Sequence, residues 1–246
     1  MDKNLVCGLH VVRMLLTRFP ERILELYCLG TRDDKRMEEI QILARRQGLK
    51  LHNIGKREFD SWFPDMAHQG VGARVKGSIL LAEPDLPTLV EQSEGDPFIL
   101  ALDGIQDPHN LGACLRTADA ANVTAVIMPK DRSVGITPVV RKVASGATET
   151  VPIVQVTNLT RSLITLKELG LWVIGTAVDA KQSLYQTDLK GPVVMVLGAE
   201  GVGLRRLTAD TCDLLVTLPM YGTVESLNVS VATGICLYEV LRQRKF

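Results

Sequence analysis

Apolar positions fall along this chain in two textures. From Phe98 onward, strand-length apolar runs recur at 98–102, 125–128, 151–156, 171–175, 193–197 and 214–218. Runs of this kind mark strands buried on both faces. Stretches with helical spacing lie between most of them, at 111–121, 137–144, 158–169 and 204–211, and a last one follows at 229–240. The alternation predicts βαβ units building a parallel sheet covered by helices. Nearer the start the pattern is shorter and more polar. It predicts a helix over 10–18, a strand over 24–29, a helix over 33–47 stopped by Gly48, and strands over 49–54 and 70–76. These make a small α/β module over residues 1–77. Between the two, Pro84, Pro87, Gly95 and Pro97 mix with Glu83, Asp85, Glu91, Glu94 and Asp96, so 78–97 reads as an acidic linker, with a short docked helix allowed at 86–90. The second domain then spans 98–246.

Three of the apolar runs empty into polar turns. Val193 to Leu197 is followed by Gly198, Glu200, Gly201 and Gly203, where glycines permit positive φ and close backbone approach. Leu214 to Leu218 is closed by Pro219, and Ser226 and Asn228 stand where the helix over 229–240 needs caps. Phe98 to Leu102 leads into Asp103 and the turn signal Asp107-Pro108, with Asn110 able to cap the next helix and Arg116 within two turns of its start. In an open α/β sheet all three turns lie at the carboxyl edge of the strands, where such folds bind ligands. Other readings stay open at single residues: a surface ion pair for Arg116, a helix-dipole carboxylate for Glu200.

Composition narrows the classes. With 46% hydrophobic residues in 246, the chain can bury a sizeable core. No apolar run approaches the roughly 18 residues of a membrane span and no signal-peptide pattern opens the chain, so a cytoplasmic protein without membrane partner is expected. Five widely spaced cysteines without C-x-x-C, and four scattered histidines, support neither a disulfide framework nor a metal site. Net charge is zero, yet residues 1–77 hold 14 Lys and Arg against 10 Asp and Glu, a candidate polyanion surface or simply a solvated mixed face. The glycine turn after Leu197 is no dinucleotide fingerprint, because it follows the fifth run rather than the first and carries a central glutamate. No Gly-Lys-Ser or Gly-Lys-Thr and no G-x-S-x-G occurs, which argues against a P-loop and a serine hydrolase.

The segments N-L-G-A-C-L-R-T-A-D-A (110–120), V-L-G-A-E-G-V-G-L (196–204) and L-P-M-Y-G-T-V-E-S-L-N-V-S-V-A-T-G-I (218–235) resemble, in order, the three motifs of the SpoU, or TrmH-type, RNA ribose methyltransferases. The likeness covers about residues 98–243. Cys7-Gly-Leu-His-Val-Val and His68-Gln-Gly-Val-Gly-Ala-Arg-Val extend it to the bacterial branch that methylates a guanosine ribose in the peptidyl-transferase region of 23S ribosomal RNA. The resemblance implies a SPOUT α/β domain with a C-terminal trefoil knot, which general folding rules would never suggest. It further implies S-adenosylmethionine as cofactor, held by Gly198, Leu218 and Leu227 with Glu200, Gly201, Met220 and Asn228 around it, and a homodimer. Small residues Ser230, Ala232, Thr233, Gly234 and Cys236 on the last helix suit close packing, in a dimer or in an intrachain core.

By the same resemblance Arg116 is the central catalytic residue. A guanidinium with a pKa above ~12 is a poor general base, so binding phosphate and polarising the 2′-hydroxyl suits it better. Asn110 would orient the ribose or Arg116, while Glu200, Ser226 and Asn228 fix that geometry. The first module resembles ribosomal protein L30e, an RNA-binding fold, with Arg13, Arg18, Arg45, Arg46, Lys56 and Arg74 as candidate phosphate contacts. A transfer-RNA ribose methyltransferase is the runner-up, and a non-catalytic RNA-binding or ribosome assembly protein the alternative of another class.

Overall fold

The computed structural model describes residues 5–30, 34–63, 68–76 and 80–245, without the side chains of His10, Met14, Arg18 and Glu149. The chain divides into two units, Met1–Ile79 and Leu80–Phe246.

The first unit runs β1 (Leu5–Cys7), α1 (Leu9–Arg18), β2 (Ile23–Leu29), α2 (Lys35–Arg46), β3 (Leu51–Ile54), α3 (Lys56–Trp62) and β4 (Val71–Val75). Its sheet has the order β1-β4-β2-β3, with β2 and β3 parallel and β4 antiparallel to both its neighbours. Asp34 starts α2 by accepting the N–H groups of Arg36 and Met37. Because strand side chains alternate, each face of the sheet has its own core. Val6, Leu26, Cys28 and Ala73 pack with α1 and α2, whereas Cys7 and Tyr27 pack with Phe59 and Phe63 on the α3 side. The apolar pattern carries no signal for β1 or α3, which are three and seven residues long.

The second unit contains β5 (Leu81–Ala82), α4 (Leu86–Glu91), β6 (Phe98–Asp103), α5 (Pro108–Ala120), β7 (Ala125–Pro129), α6 (Pro138–Ala144), α7 (Ala147–Thr150), β8 (Ile153–Val156), α8 (Leu159–Glu168), β9 (Trp172–Thr176), β10 (Gln182–Ser183), β11 (Val193–Gly198), α9 (Arg206–Thr211), β12 (Leu214–Thr217) and α10 (Val229–Lys245). Its eight strands are ordered β10-β12-β9-β11-β6-β7-β8-β5 and every pairing is parallel. The parallel sheet expected from the apolar runs is therefore present. β6 and β11 are buried along their whole length.

The stretch expected as a linker departs from that reading. β5 pairs with β8 as an edge strand, α4 buries Leu86 and Leu89, and Glu83 receives two hydrogen bonds from Arg161 of α8. Pro84 and Pro87 occupy the first turns of a 3-10 segment and of α4, where no backbone N–H is required. Proline here punctuates structure instead of preventing it.

The strand order locates a site. From β6 the chain steps outward through β7 and β8, then crosses to β9, and β11 enters between β6 and β9 while β12 enters between β9 and β10. The direction reverses at β6, so the carboxyl ends of β6 and β11, paired at Asp103 and Gly198, border the crevice of such a sheet.

Candidate active site

Three turns meet at that edge. After β11 the chain turns back on itself: Gly201 and Gly203 have φ of 76° and 71°, and the Gly203 N–H donates to the Ala199 carbonyl at 2.8 Å. The returning backbone lies directly on Gly198, where a Cβ would overlap the Gly203 carbonyl and the Leu204 nitrogen. Glycine at 198 is thus a requirement of close approach, as the sequence suggested. After β6, α5 begins at Pro108, and Asp107 caps it by accepting the His109 and Asn110 N–H groups. This corrects the cap expected at Asn110. Proline at the first helical position puts the cap one residue before it, and Asn110, inside the first turn, is left free to point elsewhere.

Asn110 points at Glu200. Its Nδ2 donates to Glu200 Oε2 at 3.2 Å, and Asn228 Nδ2 donates to Asn110 Oδ1 at 2.9 Å and to the same Glu200 oxygen at 3.3 Å. Asn228 Oδ1 accepts the backbone N–H of Ser230 at 2.9 Å and its hydroxyl at 2.6 Å. The polarity of this cluster is determined by chemistry. A backbone N–H can only donate and a carboxylate can only accept, so each amide has one permitted orientation. Asn228 thereby caps α10 and ties Asn110 to Glu200. Among the described residues the second oxygen of Glu200 has no partner, and the residue is exposed, so that oxygen is available to a donor.

The remaining expected residues divide. Leu218, Met220 and Leu227 are half-buried along the third turn, whose residues 221–226 are exposed, Tyr221 at 96%. Ser226 belongs to that exposed stretch and takes no part in the cluster; Ser230, two residues beyond Asn228, holds the position expected of it. Arg116 sits on the exposed flank of α5, about 120° around the helix from Asn110 at 3.6 residues per turn. It forms no ion pair among the described residues. Thr233 and Cys236 are buried within this chain, and the Cys114 thiol lies 3.3 Å from the Thr233 hydroxyl where α5 packs on α10. Burial pushes the thiols of Cys114 and Cys236 up to about 11 and about 12. Asp107, Ser230 and the Asp103–Arg205 pair were missed by sequence reasoning. For Asp107 the signal existed in the proline that follows it.

In the first unit the six candidate phosphate contacts do not share a face. Arg13, Arg45 and Arg46 lie on the α1 and α2 layer, where Arg13 pairs with Glu39 at 2.8 Å. Lys56 is on α3, on the opposite face. Arg74 is 3.4 Å from Glu25 across the sheet. The Arg18 side chain lies outside the described residues. No helix of the described residues is long and apolar enough to cross a membrane, and no group of three or more His, Cys, Asp or Glu among them could hold a metal ion.

Comparison with known proteins identifies the family. The SpoU rRNA Methylase family matches residues 97–238, and the family described as RNA 2'-O ribose methyltransferase substrate binding matches residues 5–79. The chain is 53% identical over 240 residues to the 23S rRNA (guanosine-2'-O-)-methyltransferase RlmB of Pseudomonas putida, covering 98% of this chain and 96% of that protein. It is 54% identical to the RlmB of Pseudomonas aeruginosa over 97% of this chain and 96% of that protein. In fold it is similar to the SpoU methyltransferase AviRb of Streptomyces viridochromogenes, solved in complex with the cofactor AdoMet, with a TM-score of 0.70, 22% identity, and coverage of 97% of this chain and 89% of the other. With both of its units matched and its near relatives aligned almost from end to end, the chain belongs to the SpoU rRNA methylase family.

Proposed function

We propose that this protein transfers a methyl group from S-adenosylmethionine to the ribose 2′-hydroxyl of a guanosine in 23S ribosomal RNA, a cytoplasmic reaction. The observation that carries the reading is the Asn110–Glu200–Asn228 cluster, which joins all three polar turns at the carboxyl edge of the sheet. The RlmB relatives support the substrate. The residues present also suit the cofactor. Gly198, at the carboxyl end of β11, and half-buried Leu218 and Leu227, on the turn that follows β12, are the residues that would hold it, and the side of Gly198 where a side chain would stand is covered by the Gly203 and Leu204 backbone.

When bound, the cofactor supplies a sulfonium-activated methyl. Methylation of the 2′-hydroxyl would require that hydroxyl to pass its proton to an acceptor held beside it. The protein's part is positioning, which can recover roughly 7 to 11 kcal/mol of barrier. Glu200 offers its unpartnered oxygen as an acceptor, and Asn110 and Asn228 hold that carboxylate still. Arg116 binds the neighbouring phosphate and polarises the hydroxyl.

The exposed place of Arg116, away from the cluster, fits a homodimer in which one chain's Arg116 completes the other's site. Val231 and Tyr238, exposed on α10, and half-buried Ile235 between them supply an apolar stripe for the contact. The entry of β11 and β12 between strands already laid down also fits the trefoil knot.

The test uses radiolabelled cofactor with 23S rRNA and transfer RNA, followed by mapping of the ribose that resists alkali. Label in 23S rRNA at a guanosine is expected; label only in transfer RNA overturns the substrate. Arg116→Ala is expected to keep cofactor affinity and lose at least about a hundredfold in rate, the scale of one lost polarising donor. Mixing Arg116→Ala chains with Glu200→Gln chains will restore activity through heterodimers carrying one intact site. A mixture as inactive as its components would place both residues in one chain's site.

A further inference from the structure

β6 ends on a buried carboxylate for which the proposed chemistry has no task. Asp103 is 1% exposed, and its Oδ2 accepts the backbone N–H of Arg205 at 3.0 Å. Its Oδ1 lies 3.5 Å from Arg205 Nη1 and makes no hydrogen bond among the described residues. A buried charge persists only where something compensates it. Here the compensation is a guanidinium, and room for that group comes from Gly104. This glycine has φ of 81°, and a Cβ on it would stand 2.8 Å from Arg205 Nη2.

The partner's place in the chain gives the pair its meaning. Arg205 closes the turn that begins at Gly198, and Gly198 is the register partner of Asp103. Besides the side-chain bonds from Asn110 and Asn228 to Glu200, the backbone of the turn is pinned at three points: the Gly203-to-Ala199 hydrogen bond, the Gly203 backbone lying on Gly198, and Arg205 on Asp103. The first two hold the turn to itself and to β11. Asp103 alone among them ties it to β6, the strand that leads to Asn110. Glu200, in the middle of the turn, is exposed and held at its Oε2 by Asn110 and Asn228, while its backbone goes where the turn goes. Where its free oxygen stands therefore depends on where the turn is anchored.

We infer that Asp103 is a positioning residue for methyl transfer, acting through Arg205 to set the Glu200 turn against β6 and Asn110. The inference rests on the function proposed above. A backbone N–H needs only an acceptor, which Asp103→Asn retains while the charge that holds the guanidinium is lost; Asp103→Ala loses both.

The experiment compares full-length wild type, Asp103→Asn, Asp103→Ala, Glu200→Gln and the two double variants. It measures kcat and KM for a 23S rRNA fragment, cofactor affinity by calorimetry, and melting temperature. Misplacing a reacting group by 1 Å costs up to about a hundredfold, so kcat is expected to fall at least about tenfold in Asp103→Ala and less in Asp103→Asn. In the Glu200→Gln background the same substitutions are expected to change kcat less than about twofold, because the group being positioned is already gone. Equal losses in both backgrounds overturn the inference, since Asp103 would then act independently of Glu200. Wild-type kcat in both Asp103 variants also overturns it, while the reading of the enzyme survives. If Asp103→Ala does not fold, Asp103→Asn carries the same comparison. A wild type that transfers no methyl to ribosomal RNA overturns both.

Discussion

Two glycines of one turn show how differently a single residue type is used. At Gly201 the backbone is left-handed, but nothing lies within 4 Å of where a Cβ would stand. Gly201→Ala should therefore cost only conformational energy, about 1 kcal/mol. At Gly198 the obstacle is backbone: an added methyl would overlap the Gly203 carbonyl, and the hydrogen bond closing the turn prevents retreat. Gly198→Ala is expected to destabilise the protein by about 3 kcal/mol, the upper range for overpacking, and to abolish S-adenosylmethionine binding, whereas Gly201→Ala retains it. Thermal melts and calorimetry on the two variants check this, and equal behaviour would contradict the steric account. The same distinction explains why sequence reasoning reached Gly198 and not Asp103. A glycine in a polar turn announces its freedom, whereas the value of Asp103 depends on a partner 102 positions away.

At the scale of elements, α10 works as a strut between two anchored ends. Its first residues follow the Asn228 cap in the site. Its last turn is fastened by Arg244, whose guanidinium donates to the carbonyls of Leu189, Asp96, Pro97 and Gly191 and lies over the Phe98 ring, and by Gln243, which bonds to Leu189 and Thr187. Arg244→Ala is expected to destabilise by about 3 kcal/mol, since hydrogen bonds from charged groups contribute about 1.5 to 3 each and not additively; denaturant titration measures it. Nearby, hydrogen bonds from Arg242 and then Gln243 hold the Glu239 carboxyl below its ordinary 4.5 against the opposing effect of burial. A depressed carboxylate stabilises the fold above its unfolded value, and this is lost as pH falls through the folded value. Melting temperature should therefore drop below about pH 4.5, and less steeply in Glu239→Gln. Much of this level was legible. The strand runs and the long helices were visible because burial on both faces or along one stripe leaves a period in the sequence. β5, β10 and α7 were not, because two to four residues cannot show a period. The spacing of Asn110 and Arg116 was legible, and at six residues it sets the two about 120° apart around α5. The insertion of β11 between β6 and β9 was hidden, because apolar runs record burial and not neighbours.

At the scale of the whole molecule, each unit closes its own core, and this decides what each can do alone. In the first unit the candidate cations stand on two faces of one sheet, so one phosphate track can engage only one set. Charge reversal at Arg45 and Arg46, or at Lys56 and Arg57, tested separately by RNA binding at fixed salt, should weaken binding strongly for one pair only. Where the chain is cut matters as much. The composition of 78–97 invites truncation at Pro97, but the second unit begins at Leu80, and removal of 80–96 would strip an edge strand from β8 and uncover the groups packed under Leu81, Leu86 and Leu89. Burying an aliphatic side chain contributes about 1.5 to 3 kcal/mol, and the paired carboxylate of Glu83 would be lost as well. A chain of residues 80–246 is thus expected to fold and bind S-adenosylmethionine with wild-type affinity while its methylation of ribosomal RNA is abolished. A chain of residues 97–246 should melt at a markedly lower temperature or aggregate. Full ribosomal RNA activity in the 80–246 chain would show that the first unit does not read the substrate, and equal stability of the two chains would return 80–96 to the status of a linker.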